Sequence, residues 1–303
     1  MDIRSKIILI SGPTASGKTK FAIKLARQIN GEIINADSMQ VYKQLKILTA
    51  RPSKKEEKTI KHHLYGFQSV KKKFSTGTWL KEVQKKIKQI QKKNKIPILV
   101  GGTGLYFKAL TEGLVKIPNI PTVFRNKIRK LQNKIGQKKF YKKLIDLDKY
   151  VKNIIDSNDA QRSIRAYEIK KFTKKSITEW FKKTKPILDK SVFIKFYIEY
   201  PRERLLEKIN IRIDKMFKQG AIKEVKNFNK LNVKKENSST KVIGIREIND
   251  YIDGKSSIHE TKEKIAIKTR QYAKRQTTWA RGHMKNWQSI GPDSINSVLK
   301  KFK

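Results

Sequence analysis

Residues 7–19 read Ile7-Ile8-Leu9-Ile10-Ser11-Gly12-Pro13-Thr14-Ala15-Ser16-Gly17-Lys18-Thr19, an apolar run that ends in Gly12-x-x-x-x-Gly17-Lys18-Thr19. Four aliphatic residues in a row suit a strand buried on both faces of a parallel sheet. Behind the glycines Phe21, Leu25 and Ile29 recur every four residues, the spacing of a buried helix stripe. Strand, glycine loop and helix in this order form a phosphate loop. The glycines let the backbone curl so that successive N–H groups face an anion, and the helix adds its positive N-terminal end. A diphosphate is therefore expected on Gly12, Pro13, Thr14, Ala15, Ser16, Gly17, Lys18 and Thr19, with Lys18 on the terminal phosphate oxygens and the Thr19 hydroxyl on Mg2+.

Outward from the loop, Glu32 to Ala36 predicts a second short strand that delivers Asp37-Ser38 to the carboxyl edge, where open parallel sheets hold their ligands. Asp37 is thus expected to face the phosphate loop. Leu80, Val83, Ile87 and Ile90 are spaced as a helix stripe, and the apolar run Ile96 to Val100 follows, ending in Gly101-Gly102-Thr103-Gly104. These segments predict an α/β fold: a P-loop NTPase-like parallel sheet core with a mostly helical insertion domain. The core is expected to be discontinuous, residues 1–117 and 191–303, with the lysine-rich helical insertion at 118–190. The strand from Val192 to Ile198 returns the chain to the sheet. Lys234 to Ser239 reads as a polar loop, and the residues after about 290 read as a frayed tail.

Composition narrows the chemistry. The chain has 303 residues and no cysteine, so disulfides, thiolate metal sites and a cysteine nucleophile are excluded. No apolar stretch approaches the length of a bilayer span, and the first strand leads directly into the phosphate loop, which predicts a cytoplasmic protein without a membrane partner. The formal net charge of +46 fits a polyanionic partner. It also fits an AT-biased coding sequence that fills the surface with lysine, since 58 of the 72 basic residues are Lys and 14 are Arg. The arginines are the sharper signal, because a guanidinium grips phosphate with a planar fork, and they cluster in the second half.

Four further segments carry candidate chemistry. Asp37-Ser38-Met39-Gln40 offers a carboxylate near the bound diphosphate, as general base, as a partner to Mg2+ through its bound water, or as a helix cap or turn former. Thr103 sets a hydroxyl among glycines, where backbone can approach a ligand closely. Asn158-Asp159-Ala160-Gln161-Arg162-Ser163-Ile164-Arg165 begins like a capped helix with donors in its first turns, suited to phosphates or equally to an exposed amphipathic face. Arg270, Lys274, Thr278 and Arg281 share one helix face interleaved with Tyr272 and Trp279, a plausible RNA surface unless Trp279 anchors the helix in the core. His62 and His63 receive no role. By the residues alone, an ATP-dependent kinase, a nucleotide-gated RNA-binding protein and a transferase acting on RNA all remain open.

The ordered motifs GPTASGKT from Gly12, NADSMQVY from Asn35, TARPS from Thr49, GGTGLYFKAL from Gly101, NDAQRSIRAYEI from Asn158, KVIGIREI from Lys241 and TRQYAKRQTTWARG from Thr269 resemble the tRNA dimethylallyltransferase family. The resemblance spans nearly the whole chain. It implies transfer of a dimethylallyl group from dimethylallyl diphosphate to N6 of an adenine beside the anticodon in tRNA. Catalysis would fall to Asp37 as base with Lys18, Thr19 and Thr103. The implied tRNA contacts are Asp37, Ser38, Met39, Gln40, Thr103, Arg125, Gln161, Arg162, Ser163, Ile164 and Arg165. They continue with Lys241, Val242, Ile243, Gly244, Ile245 and Arg246, and with Lys274, Arg275, Gln276, Thr277, Thr278, Trp279, Ala280 and Arg281. Mg2+, the tRNA anticodon stem-loop and dimethylallyl diphosphate are the implied partners of a monomer. Arg51 stands where many relatives have Lys, and Gly104 where many have Met.

Overall fold

The apolar run ahead of the phosphate loop becomes β1 (Ile7–Ser11), every residue of which is buried. The structure, a computed structural model, describes residues 3–302. After β1 come α1 (Lys18–Gln28) and β2 (Gly31–Asn35), and α1 turns Phe21, Ala22 and Leu25 into the core. The short α2 (Lys54–Thr59) starts in a capping box between Ser53 and Glu56 and leads into β3 (His62–His63). Next are α3 (Thr76–Gln91), which buries Trp79, Leu80, Val83, Ile87 and Ile90, then β4 (Ile96–Gly101) and α4 (Gly104–Thr111).

By internal contacts the chain forms two compact units: one holds everything up to Thr111 and from Leu188 onward, the other is Glu112–Ile187. The second unit is helical, with α5 (Thr122–Leu147) broken at Gly136 (φ 76), α6 (Ala160–Thr173) and α7 (Ile177–Lys182). Leu144, Val151, Ile155 and Ala166 form its small core. Asp159 caps α6 by accepting the Arg162 N–H at 2.9 Å.

The first unit resumes with β5 (Phe193–Ile198), α8 (Arg202–Lys218), α9 (Ala221–Asn229), α10 (Ile245–Ile252) and α11 (Ile258–His283). It closes with β6 (Gln288–Ile290) and α12 (Ile295–Lys300). The six strands pair in parallel in the order β3-β2-β4-β1-β5-β6. One core joins α1 and α12 to the sheet, and another gathers α8 to α11 around Val41, Leu45 and Leu48. Among the described residues no helix is long and apolar enough to cross a membrane.

One expectation needs correction. The residues after 290 are no frayed tail: Ile290 extends the sheet beside Ile198, and Val298 and Leu299 are buried against α1. The strand is only three residues long with two of them exposed, too short for a period to show. The polar stretch 234–239 is a loop with buried anchors, since the Asn237 amide and the Ser239 hydroxyl both donate to Val70 O, at 3.3 and 2.8 Å.

Candidate active site

The carboxyl ends of β1, β2 and β4 emerge on one edge of the sheet and border a cleft of about 1060 Å³. The loop after β1 curls as its glycines predict: Gly17 lies at φ 88 directly before α1. Ala15 joins it at φ 65, a conformation that costs an alanine on the order of 1–2 kcal/mol and that helps turn successive amides one way. Several of the loop's polar groups are engaged, although the buried Ser16 hydroxyl has no hydrogen-bond partner. Lys18 Nζ donates to Pro13 O at 2.6 Å, Thr14 N–H donates to Gln276 Oε1 at 2.8 Å, and Arg212 Nη1 donates to Thr14 Oγ1 at 2.9 Å.

Charge is concentrated here. Burial pushes the Lys18 ammonium down to about 7, against the pull of the Asp37 carboxylate and with a further push from Arg212. Burial likewise lowers Arg212, opposed by Asp37, and raises the Tyr272 hydroxyl, with Asp37 adding to the rise. Asp37 is therefore within electrostatic reach of both cations, in the same cleft. It is held by its own turn: Met39 and Gln40 N–H donate to Oδ1 at 2.9 and 3.4 Å, and the Asn35 side chain brackets its backbone at 2.8 and 3.0 Å. Turn former and charged group are one residue, since the turn occupies Oδ1 and not Oδ2.

Thr103 secures the neighbouring loop, its Oγ1 accepting the Ser38 N–H at 2.9 Å. The glycines around it are explained by α11. A Cβ on Gly102 would stand 2.0 Å from Gln276 Nε2, which donates to Gly102 O at 2.9 Å, and a Cβ on Gly104 would stand 2.1 Å from the Trp279 ring. Trp279 is half-buried, stacked on His283, and faces a smaller cleft of about 260 Å³ beside Thr103 and Arg275.

The remaining site residues divide by exposure. Lys241, Arg246, Lys274, Arg275, Thr278 and Arg281 are exposed, Gln276 and Thr277 are half-buried, and Ile243 lines the main cleft. Within the helical unit Gln161 and Arg162 are exposed and Ile164 is half-buried, while Arg125 and Arg165 converge on Glu168 Oε2 at 3.3 and 3.4 Å. Ser163, Val242, Ile245 and Ala280 have buried side chains, with Val242 at the wall of the main cleft and Ala280 at that of the smaller one. Each falls on the apolar stripe of its own helix or turn. Gly244 is buried at φ 105 ahead of α10, where its conformation and not a side chain is required.

Arg212 was not singled out by sequence, although a signal existed. Leu205, Ile209, Ile213 and Met216 are the buried stripe of α8, and Arg212 lies three after Ile209 and four before Met216, a cation on an apolar face. For a metal, Thr19 and Asp37 both line the cleft, and no group of three or more His, Cys, Asp or Glu able to hold a metal exists among the described residues. One hydroxyl and one carboxylate fit Mg2+, which takes most of its ligands from water and substrate phosphates.

The phosphate loop on a six-stranded parallel sheet defines a protein of P-loop NTPase-like fold. Residues 40–283 match the family model for IPP transferase. The tRNA dimethylallyltransferase of Pelagibacter ubique (strain HTCC1062) is 60% identical over 303 residues, 100% of this chain and 97% of that one. That of Bartonella henselae is 44% identical over 276 residues, 91% and 94% of the two chains. Among solved structures, the tRNA isopentenylpyrophosphate transferase of Bacillus halodurans superposes with TM-score 0.70 at 30% identity, covering 98% of this chain and 95% of that one. A eukaryotic dimethylallyltransferase acting on tRNA gives TM-score 0.84 at 27% identity, covering 98% and 77%. The chain belongs to the tRNA dimethylallyltransferase family and is a prenyltransferase.

Proposed function

We propose that the protein transfers the dimethylallyl group of dimethylallyl diphosphate to N6 of an adenine beside the anticodon of tRNA, with Asp37 as general base. The observation that carries this reading is the shared cleft, in which Asp37 stands within electrostatic reach of Lys18 and Arg212 at the phosphate loop. The cleft also suits an amphiphilic donor, cationic at the loop and apolar at Ile47, Leu48 and Ile243.

The N6 lone pair is delocalised into the ring, so the amine is a weak nucleophile. A carboxylate is too weak a base for the neutral amine, but N6 grows acidic as it gains positive charge. As the N6–C1 bond forms, Asp37 takes the proton, and the C1–O bond breaks with its electron pair passing to diphosphate. Lys18, Arg212 and the loop amides line the place where that charge develops and would stabilise it. Mg2+, held on the diphosphate with the Thr19 hydroxyl, would neutralise part of the same charge. Thr103 holds Ser38 and so steadies the turn that carries Asp37.

A stacked adenine hides its N6 edge, so the base is unstacked and flipped for reaction. The tRNA is gripped by Arg125, Gln161, Arg162 and Arg165 of the helical unit and by the exposed Lys241, Arg246, Lys274 and Arg281 of the sheet unit. A monomer in the cytoplasm suffices for this chemistry. The test is to incubate the protein and Mg2+ with tRNA lacking the modification, adding dimethylallyl diphosphate or ATP, and to weigh the nucleosides. An adenosine heavier by one five-carbon isoprenyl group, formed only with the prenyl donor, is expected. Unchanged nucleosides with ATP consumed would support a kinase instead.

A further inference from the structure

One wall of the cleft is the turn formed by residues 46–51. Ala50 N–H donates to Ile47 O at 3.0 Å and Arg51 N–H to Lys46 O at 3.1 Å, which closes the turn with Ala50 at φ 46. This is how helices commonly end, with alanine in a position that glycine would occupy without strain. The start of the turn has no cap of its own, because Leu45 precedes it and offers no side-chain acceptor. The orphan amides are met from far along the chain. Glu224, on α9, accepts from Lys46 N–H (2.7 Å) and Ile47 N–H (2.8 Å) at Oε1, and from Ile47 (3.1 Å) and Leu48 (2.9 Å) at Oε2.

The other end of the turn holds Gln40. Its Nε2 donates to Thr49 O at 2.9 Å and Ala50 O at 3.1 Å, while its backbone N–H donates to Asp37 Oδ1 at 3.4 Å. A continuous hydrogen-bonded path thus runs from Glu224 through the turn and Gln40 to Asp37. We infer that Glu224 is a positioning residue for prenyl transfer: it caps the Lys46–Arg51 turn from α9 and, through Gln40, fixes where the Asp37 carboxylate stands in the cleft. This rests on the reading of Asp37 as the base. A carboxylate is the right cap for three amides, since it accepts from all of them and donates to none, and one carboxylate serves where three separate acceptors would be needed.

The opposing view is that Glu224 only ties α9 to the fold. The two differ in coupling. Single-turnover rates with saturating tRNA and dimethylallyl diphosphate are measured for Glu224→Gln, Gln40→Ala and the double variant, with thermal midpoints alongside. Glu224→Gln keeps the volume but presents an NH2 to the amides. Each single change is expected to slow transfer by about 10-fold, the scale of a small misplacement of a reacting group. The double variant is expected within about 2-fold of either single one, because both cut the same path. Losses that multiply, or a lowered midpoint with a normal rate in Glu224→Gln, overturn the inference. If Glu224→Gln does not fold, Glu224→Asp, which keeps the charge on a shorter arm, takes its place in the same cycle under the same criteria. Uncoupled losses with an inert Asp37→Asn overturn this inference alone, whereas an active Asp37→Asn overturns the base reading beneath it.

Discussion

Polar side chains serve different ends in the two units. In the sheet unit the contacts that shape the cleft join distant parts of the chain: Thr103 with Ser38 across 65 positions, Arg212 with Thr14 across 198, Gln276 with Thr14 across 262. In the helical unit they are mostly local, as with Asp159 and Arg162 or Arg165 and Glu168, each pair three residues apart. Arg125 reaches Glu168 across only 43. Long-range bonds lock atoms from several elements into one geometry, which bond making and breaking requires. Local bonds fix helix ends and leave charged heads at the surface, which is enough to grip a phosphate backbone. On the function proposed above, the sheet unit would serve chemistry and the helical unit affinity, and substitutions can break that division.

The largest effect is expected at Asp37. Asp37→Ala should lower turnover by about 100-fold or more, the scale of a lost general base, while tRNA affinity stays within a few fold. Steady-state kinetics with filter binding on the same preparation would show it. Near-normal turnover would make Asp37 only the turn former that its bonds to Met39 and Gln40 already show it to be. Next is Arg212→Ala, which removes a guanidinium from the phosphate loop. Hydrogen bonds to charged groups are worth about 1.5–3 kcal/mol, so kcat/KM for the donor should fall roughly 10- to 100-fold. An unchanged value would mean that Arg212 serves only to brace Thr14.

Lys18 makes the comparison pH-dependent. With its ammonium lowered to about 7 by burial, the free protein loses this proton as pH rises through neutrality. A bound diphosphate restores the charged form, so binding takes up a proton above pH 7. Donor affinity is therefore full below about 7 and weakens above it, by up to about tenfold per pH unit. Calorimetry in buffers of different ionisation enthalpy would count the proton. Lys18→Arg stays charged throughout and should abolish the slope, whereas a slope that survives the change would assign the titration to another group.

Much of this was legible locally. The strand, glycine loop and helix at 7–29 announce themselves by period and spacing, and Asp37 by its place at a strand end. Arg212, Gln276 and Glu224 were harder, because their partners are distant in sequence and only the folded topology brings them together. Their common signature is positional. Arg212 sits on the stripe of Ile209 and Met216, Gln276 on that of Ala273 and Ala280, and Glu224 on that of Ala221 and Phe228. A polar residue on the buried face of a helix must find a buried partner, and here all three partners are loops of one cleft. The family resemblance places Gln276 in a segment implied to contact tRNA. Its own bonds are to Thr14 and Gly102.

The smallest effect tests the other half of the comparison. The Arg162 side chain is 70% exposed and its pairing with Asp159 is a surface one, so its removal should cost little stability. If the helical unit grips RNA, Arg162→Ala should weaken tRNA binding only a few fold and reduce the slope of log affinity against log salt by about 1, with the loss in KM for tRNA and not in kcat. Lys85, exposed on α3 of the sheet unit, is the contrast, since it belongs to no implied RNA contact. Lys85→Ala should leave the slope alone if lysine is surface filler. An equal change for both would mean that the whole cationic surface holds the RNA, and the division between a unit for chemistry and a unit for affinity would fall.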